Sequence, residues 1–198
     1  MIKGKRILVF SFLLMGSVMI FISSCKKDDK TTTSTGLAIG QSYQGGKIAY
    51  IFMTGDPGFD ANVKHGIIAA PSDQSTGTTW NSGTESYQGS NGTALGTGNT
   101  NTNTIVGSLG TGNYAAKLCY DLVLGGYSDW FLPSKDELNK LYLNQTAIGG
   151  FTTDGYWSST EEHVDATTNL AYVQHFTNGN FDTYTKSDSY RVRAIRYF

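Results

Sequence analysis

The stretch from Gly125 to Glu161 constrains the fold more tightly than any other part of the chain. Gly125-Gly126 interrupts what precedes it. Asp129-Trp130-Phe131-Leu132 is a short aromatic and aliphatic run, and Pro133 ends it by removing a backbone donor. Ser134 stands three residues before Glu137, the capping-box spacing. The Ser134 hydroxyl can accept from the Glu137 amide while the Glu137 carboxylate accepts from the Ser134 amide. Leu138, Leu141 and Tyr142 recur at helical spacing, which predicts a helix from Ser134 to Asn144. Ile148-Gly149-Gly150 closes that unit, and Tyr156-Trp157-Ser158-Ser159 reads as a strand.

The start of the chain bears on location. Lys3, Lys5 and Arg6 precede an apolar run from Ile7 to Ile22, shorter than the roughly 20 residues of a spanning helix, so a signal peptide over residues 1–24 is expected. Ile22-Ser23-Ser24-Cys25 resembles a lipobox, which implies cleavage before Cys25 and acylation of its thiol and amino group. Several acyl chains are needed for a firm anchor, because each buried methylene contributes only about 0.8 kcal/mol. Residues 25–36, Lys26-Lys27-Asp28-Asp29-Lys30 followed by a Thr/Ser run, carry no apolar side chain after Cys25 and read as a solvated tether. A lysine-acid run placed just after the cysteine resembles a lipoprotein surface-export signal. The expected location is the outer membrane, lipid-anchored and facing outward.

Residues 37–198 are enough for one domain with its own core. The formal net charge of −1 and the absence of Lys/Arg clusters beyond the tether give no basic field for nucleic acid. Of two cysteines, Cys25 is assigned to lipid, leaving Cys119 without an intramolecular disulfide partner. With 24 Gly, 12 Tyr and only 3 Pro, a loop-rich α+β or mostly-β domain is favoured over a helical bundle.

Along the chain, Lys47–Phe52 and Gly66–Ala70 read as buried strands, the second stopped by Pro71. Ser72 to Thr104 is almost all Ser, Thr, Asn, Gly and Gln, with Trp80, Tyr87 and Leu95 as anchors, and is expected to be a long loop. A second helix is expected from Gly112 to Val123, with Ala115, Leu118, Cys119 and Leu122 on one face, which makes Cys119 a small core residue. Three strands close the chain: Leu170–Phe176, Phe181–Thr185 and Tyr190–Tyr197, the first two joined by a turn at Thr177-Asn178-Gly179-Asn180. Arg191 and Arg193 are expected to pair with Asp or Glu.

Several runs then match a family in order: Gly40-Gln41-x-Tyr43-x-Gly45-Gly46, Ala115-Ala116-x-x-Cys119, Asp129-Trp130-x-Leu132-Pro133-Ser134-Lys135-x-Glu137-Leu138, Gly149-Gly150-Phe151, Tyr156–Glu161 and Arg191–Arg196. The chain from about Ile39 to Phe198 resembles the C-terminal domain of bacterial collagen-like adhesins, the Lcl C-terminal domain family. That resemblance implies a cell-surface binding domain, since adhesin members are similar to glycosaminoglycan-binding modules. Leu132–Leu138 and the closing Arg-Val-Arg strand also resemble C-type-lectin-like folds, which implies an antiparallel sheet with two helices and long loops. The tandem calcium-binding motifs and the disulfides of sugar-binding lectins are missing.

No catalytic residue, metal ligand or cofactor site is expected. His65, His163 and His175 lack metal-ligand spacing, no CxxC, GxSxG or P-loop is present, and an oxidase of the formylglycine-generating type would need a cysteine pair. The charges of Glu161-Glu162-His163 and Asp165 read as an exposed loop. Carbohydrate sites set an aromatic face beside planar hydrogen-bonding groups, which singles out Asp129, Trp130, Tyr156, Trp157, Ser158 and Glu161 as ligand-binding candidates. Trp130 and Trp157 lie in the family's structural motifs, where a core role is the stronger expectation. The expected function is non-catalytic binding of an extracellular glycan or surface protein, with membrane attachment through the lipid. The alternative is a structural or assembly subunit of the cell surface.

Overall fold

The computed structural model describes residues 36–83, 86–165 and 169–198. The expected signal peptide, Cys25 and nearly all of the tether lie outside the described residues. Gly36–Phe198 forms one compact unit, and no helix among the described residues is long and apolar enough to cross a membrane.

The class is α+β, built on two sheets. β1 (Ser42–Tyr43), β2 (Gly46–Ile51), β3 (Gly66–Ala69) and β9 (Ile195–Tyr197) form the first, in the order β1-β2-β3-β9. The second runs β4-β8-β5-β6-β7, from β4 (Ser75–Thr78), β8 (Tyr190–Val192), β5 (Gly155–Glu161), β6 (Leu170–His175) and β7 (Phe181–Thr185). All pairings are antiparallel except β5 with β8, which is parallel where Tyr156 meets Arg191.

The strand expected from Tyr190 to Tyr197 is two strands in two sheets. β3 leads to β4 just as β8 leads to β9, so a two-stranded ribbon passes from one sheet into the other. Pro71 sits at the crossing on one side and Arg193-Ala194 on the other. The crossing is filled by hydrogen bonds. Ala70 N–H donates to Ala194 O (2.9 Å), Gln74 N–H to Val192 O (2.8 Å) and Ala194 N–H to the Gln74 amide oxygen (2.5 Å). The wholly buried Arg193 guanidinium donates to Asp73 (2.7 Å) and to the carbonyls of Ala70 and Gly150, and it stacks on the Phe151 ring at 4.1 Å. Arg191 also pairs with Asp73 and Asp154. Both arginines pair with aspartate, as their alternation implied.

Four helices are present among the described residues: α1 (Gly98–Leu109), α2 (Ala115–Tyr120), α3 (Lys135–Leu143) and α4 (Gln145–Ile148). α3 begins at the expected capping box, with both reciprocal bonds present. α2 buries Ala115, Ala116 and Cys119, and burial alone pushes the Cys119 thiol far up, as befits an inert core residue. The Ser72–Thr104 segment is less of a loop than expected, since it contains β4 and the first half of α1.

What holds the rest of that segment is a pair of buried carboxylates. Glu161, at the end of β5, accepts from Gln88 N–H (2.8 Å), from Ser90 N–H (2.8 Å) and from the Ser90 hydroxyl (3.1 Å). It also pairs with Lys186, whose ammonium donates to Ser86 O (2.8 Å) and lies 4.9 Å from the Trp80 ring centre. Both side chains of that pair are fully buried. Glu161 is therefore an internal anchor and not part of an exposed charged loop. Farther along, Glu137 accepts from Gly96 N–H (2.8 Å), Ser134 N–H (2.8 Å) and the Tyr197 hydroxyl. A Cβ on Gly98 would stand 2.1 Å from a Glu137 oxygen, so only glycine fits where α1 starts.

Candidate functional site

Most of the six binding candidates are internal. Tyr156, Trp157 and Ser158 are inaccessible, and Glu161 is 2 % exposed. Their polar atoms have internal partners. The Tyr156 hydroxyl donates to Asp73 (3.1 Å), the Trp157 indole N–H to Thr78 O (2.9 Å), and the Ser158 hydroxyl to Tyr172 O (3.0 Å). β5 lies between β8 and β6 and packs against α1 and α3. Every residue of the strand is buried, so alternation leaves none of its side chains for a ligand.

Asp129 and Trp130 are placed differently. They border a concavity of about 230 Å³ together with Asn99, Asn103 and Tyr120. Asn99 and Asn103 come from successive turns of α1, so they stand on one face, and the Asn103 amide N–H donates to the Asn99 amide oxygen (2.8 Å). Tyr120 is the last residue of α2 and remains 46 % exposed. Ala115, Ala116 and Cys119 of α2 are buried, and Tyr120 at the helix end stays in the open. Trp130 is only 2 % exposed and presents little but an edge, its indole N–H directed at Leu124 O (3.4 Å).

Asp129 is the one charged group of this concavity, and its position is rigidly set. The Asp129 side chain is 56 % exposed, while the Arg196 side chain that holds it is 7 % exposed. Arg196 donates from Nε to one Asp129 oxygen (2.6 Å) and from Nη2 to the other (2.8 Å), a bidentate fork. The guanidinium is fixed in turn by the Tyr127 ring, 3.9 Å away, and by the Gln44 amide oxygen, which accepts from Nη1 (2.6 Å). Gln44 and Gly45 both have positive φ, the turn that joins β1 to β2. That turn packs against the Gly125-Gly126 turn so closely that a Cβ on Gly125 would stand 2.3 Å from the Gly45 Cα. Two glycine-bearing turns from distant parts of the chain thereby bring Gln44 to Arg196 and Arg196 to Asp129. The hydrogen bond from Arg196 holds the Asp129 carboxyl below the usual carboxylate range, with burial opposing it. The carboxylate is an acceptor at any ordinary pH.

Asn99, Asn103 and Tyr120 were missing from the sequence reading. The available signals were an asparagine pair four residues apart and a tyrosine off the apolar face of α2. Two other concavities are less suited to a ligand. One is lined by the β1–β2 turn and Pro71, with Gln44 already bonded to Arg196, and the other includes Arg191, already paired with Asp73 and Asp154. Among the described residues no three His, Cys, Asp or Glu side chains are grouped to hold a metal ion.

The Asp129 concavity lies within the part of the chain that comparison with known families picks out. The model described as the Lcl C-terminal domain matches residues 70–196. No curated protein matches the chain. The matched segment spans β4 to β9 and all four helices, and it includes every side chain lining the concavity. β1, β2 and β3 all precede the match, yet β3 pairs with β9 in the same compact unit. The chain belongs to the Lcl C-terminal domain family.

Proposed function

We propose that this chain is a lipid-anchored surface protein whose domain binds glycans without catalysis, in the manner of an adhesin, at the Asp129 concavity. One observation carries the reading. An exposed aromatic ring, Tyr120, stands in the same hollow as two carboxamides and a carboxylate whose orientation is set in advance. Sugars offer apolar C–H faces and hydroxyls that both donate and accept, and this group of side chains matches both. Preorganisation lowers the entropy lost on binding, and Asp129 is already immobilised by Arg196 before any ligand arrives. The fold reads as C-type-lectin-like on the strength of the Leu132–Leu138 motif and the closing arginine strand. The anchor rests on the lipobox-like Ile22–Cys25.

The test is a glycan array probed with the full chain in detergent, with and without calcium. Binding to one glycan class, lost in Tyr120→Ala at unchanged melting temperature and also lost in Asp129→Ala, supports the site. A blank array refutes glycan recognition and leaves a protein partner or an assembly role. For the anchor, Cys25→Ser is expected to release the protein from membranes, and continued pelleting with the outer membrane refutes it.

A further inference from the structure

We infer that the ligand of the Asp129 concavity is an uncharged, hydroxyl-rich saccharide, and that sulfated and uronate polymers are excluded from it. The inference rests on the glycan-binding reading above and narrows it to a chemical class.

The lining supplies the first reason. No lysine or arginine borders the concavity, and its single charge is the Asp129 carboxylate. Arg196 occupies one direction on each carboxylate oxygen, and the directions that remain accept hydrogen bonds. A sulfate or carboxylate is itself acceptor-only. It would meet Asp129 with no donor between them and a like charge at contact distance. A sugar hydroxyl donates to Asp129 without that conflict. The Asn99–Asn103 pair extends the match, because after their mutual bond the two carboxamides still offer both donor and acceptor positions.

The surrounding charge supplies the second. Beyond Thr35 the sequence has nine lysines and arginines against fourteen aspartates and glutamates. Of those nine cations, Lys117, Lys186, Arg191, Arg193 and Arg196 are in ion pairs. Lys135 lies over Tyr172 and Phe181, and Lys140 over Tyr50, each committed to an aromatic face. The other two, Lys47 and Lys64, stand at opposite ends of the β2–β3 pair, and a polyanion, which binds by exchanging its counterions for clustered cations, finds no cluster among the nine. Around the concavity itself the charges cancel. Asp129 is matched by Arg196, and Lys117, near the Tyr120 ring at 5.5 Å, is matched by Asp121. A balanced field gives neither anions nor cations a net long-range attraction. The basic residues Lys26, Lys27 and Lys30 precede the domain and could mimic polyanion binding, so the experiment has to separate them.

The experiment measures the full chain in detergent against immobilised mannan, galactan and dextran as neutral probes, and against heparin and polygalacturonate as anionic ones. Binding is followed from roughly 0.05 to 0.5 M salt, a range over which exposed charges pass from weakly to strongly screened. The expected result is binding to at least one neutral polymer, insensitive to salt, and weakened about tenfold by Tyr120→Ala, the equivalent of about 1.4 kcal/mol. Heparin is expected to bind not at all, or only until Lys26, Lys27 and Lys30 are changed to Gln. Heparin binding that survives those three changes and is lost in Tyr120→Ala overturns the inference while leaving glycan recognition at the site intact. Failure of every neutral and anionic probe overturns the glycan reading, and the inference with it.

Discussion

Glu161 and Glu137 hold the two ends of the same polar segment, and they are built on different principles. Glu161 faces a cation: Lys186 is buried beside it, and the backbone N–H groups of Gln88 and Ser90 complete its shell. Glu137 has no ion-pair partner among the described residues and relies on Gly96 N–H, Ser134 N–H and the Tyr197 hydroxyl. The consequence is visible in its acidity. Burial raises the Glu137 pKa against the pull of those donors, and burial followed by the nearby Glu137 raises that of Tyr197. A segment too polar to bury a core of its own can thus be fastened from outside in two ways. In one the buried charge is cancelled by a cation; in the other it is carried by dipoles and made easier to protonate.

The comparison is broken first at its charged end. Lys186→Met leaves the Glu161 carboxylate buried with no cation, and is expected to cost about 3–5 kcal/mol in urea denaturation. The double variant Lys186→Met/Glu161→Met should lose clearly less than the two single losses added together. Simple additivity would mean that the pair does not act as a unit. Glu137→Ala takes the shared acceptor from Ser134 N–H, Gly96 N–H and the Tyr197 hydroxyl, only the first of them fully buried, and is expected to cost less, about 1–3 kcal/mol. A larger loss at Glu137 than at Lys186 would invert the proposed order.

Smaller effects sharpen the contrast. Ser134→Ala removes one half of the capping box and should cost about 1 kcal/mol, read as a lower melting temperature. An unchanged melting temperature would count against the cap as a source of stability. The pH dependence follows from the sign of each shift. Glu137 binds its proton more tightly in the folded state, so its contribution to stability falls as pH rises from the ordinary glutamate range through its raised value. Glu137→Gln should flatten that slope. Asp129 is shifted the other way, so its contribution is present above the ordinary aspartate range and is lost as pH falls through the depressed value. Stability of the Asp129→Asn variant should accordingly vary less than that of the parent at the acid end. Urea titrations at a series of pH values test both signs.

The capping box, the buried Cys119 and the β6–β7 hairpin were legible because each is written in local chemistry. α1 was not. Its buried face is Gly98, Asn101, Thr102 and Ile105, helical in spacing but mostly polar, so an apolar period does not reveal it. Asparagine and threonine are also poor helix formers. The helix is set by distant partners. The Asn101 amide donates to Gly92 O (2.7 Å) and accepts from Gly92 N–H (3.2 Å), and the Thr102 hydroxyl accepts from Leu132 N–H (3.0 Å). The candidate site was half legible for a related reason. Asp129 and Trp130 stood out as an acid beside an aromatic, but Asn99, Asn103 and Tyr120 join them only through tertiary packing. Tyr156 to Glu161 looked like ligand chemistry because polar groups in a strand covered on both faces look the same in sequence as polar groups in an open one.

The ribbon that passes between the sheets also fixes when the molecule can close. β8 lies inside the second sheet and β9 pairs with β3 in the first, so each sheet waits for residues near the end of the chain. Pairings between segments so far apart in sequence pay a large loop-closure entropy and form slowly. A chain emerging with its N-terminus leading has neither sheet complete while Tyr190–Tyr197 is held back. The last strands act as the latch, because β8 and β9 bring β4 and β3 their partners in the two sheets.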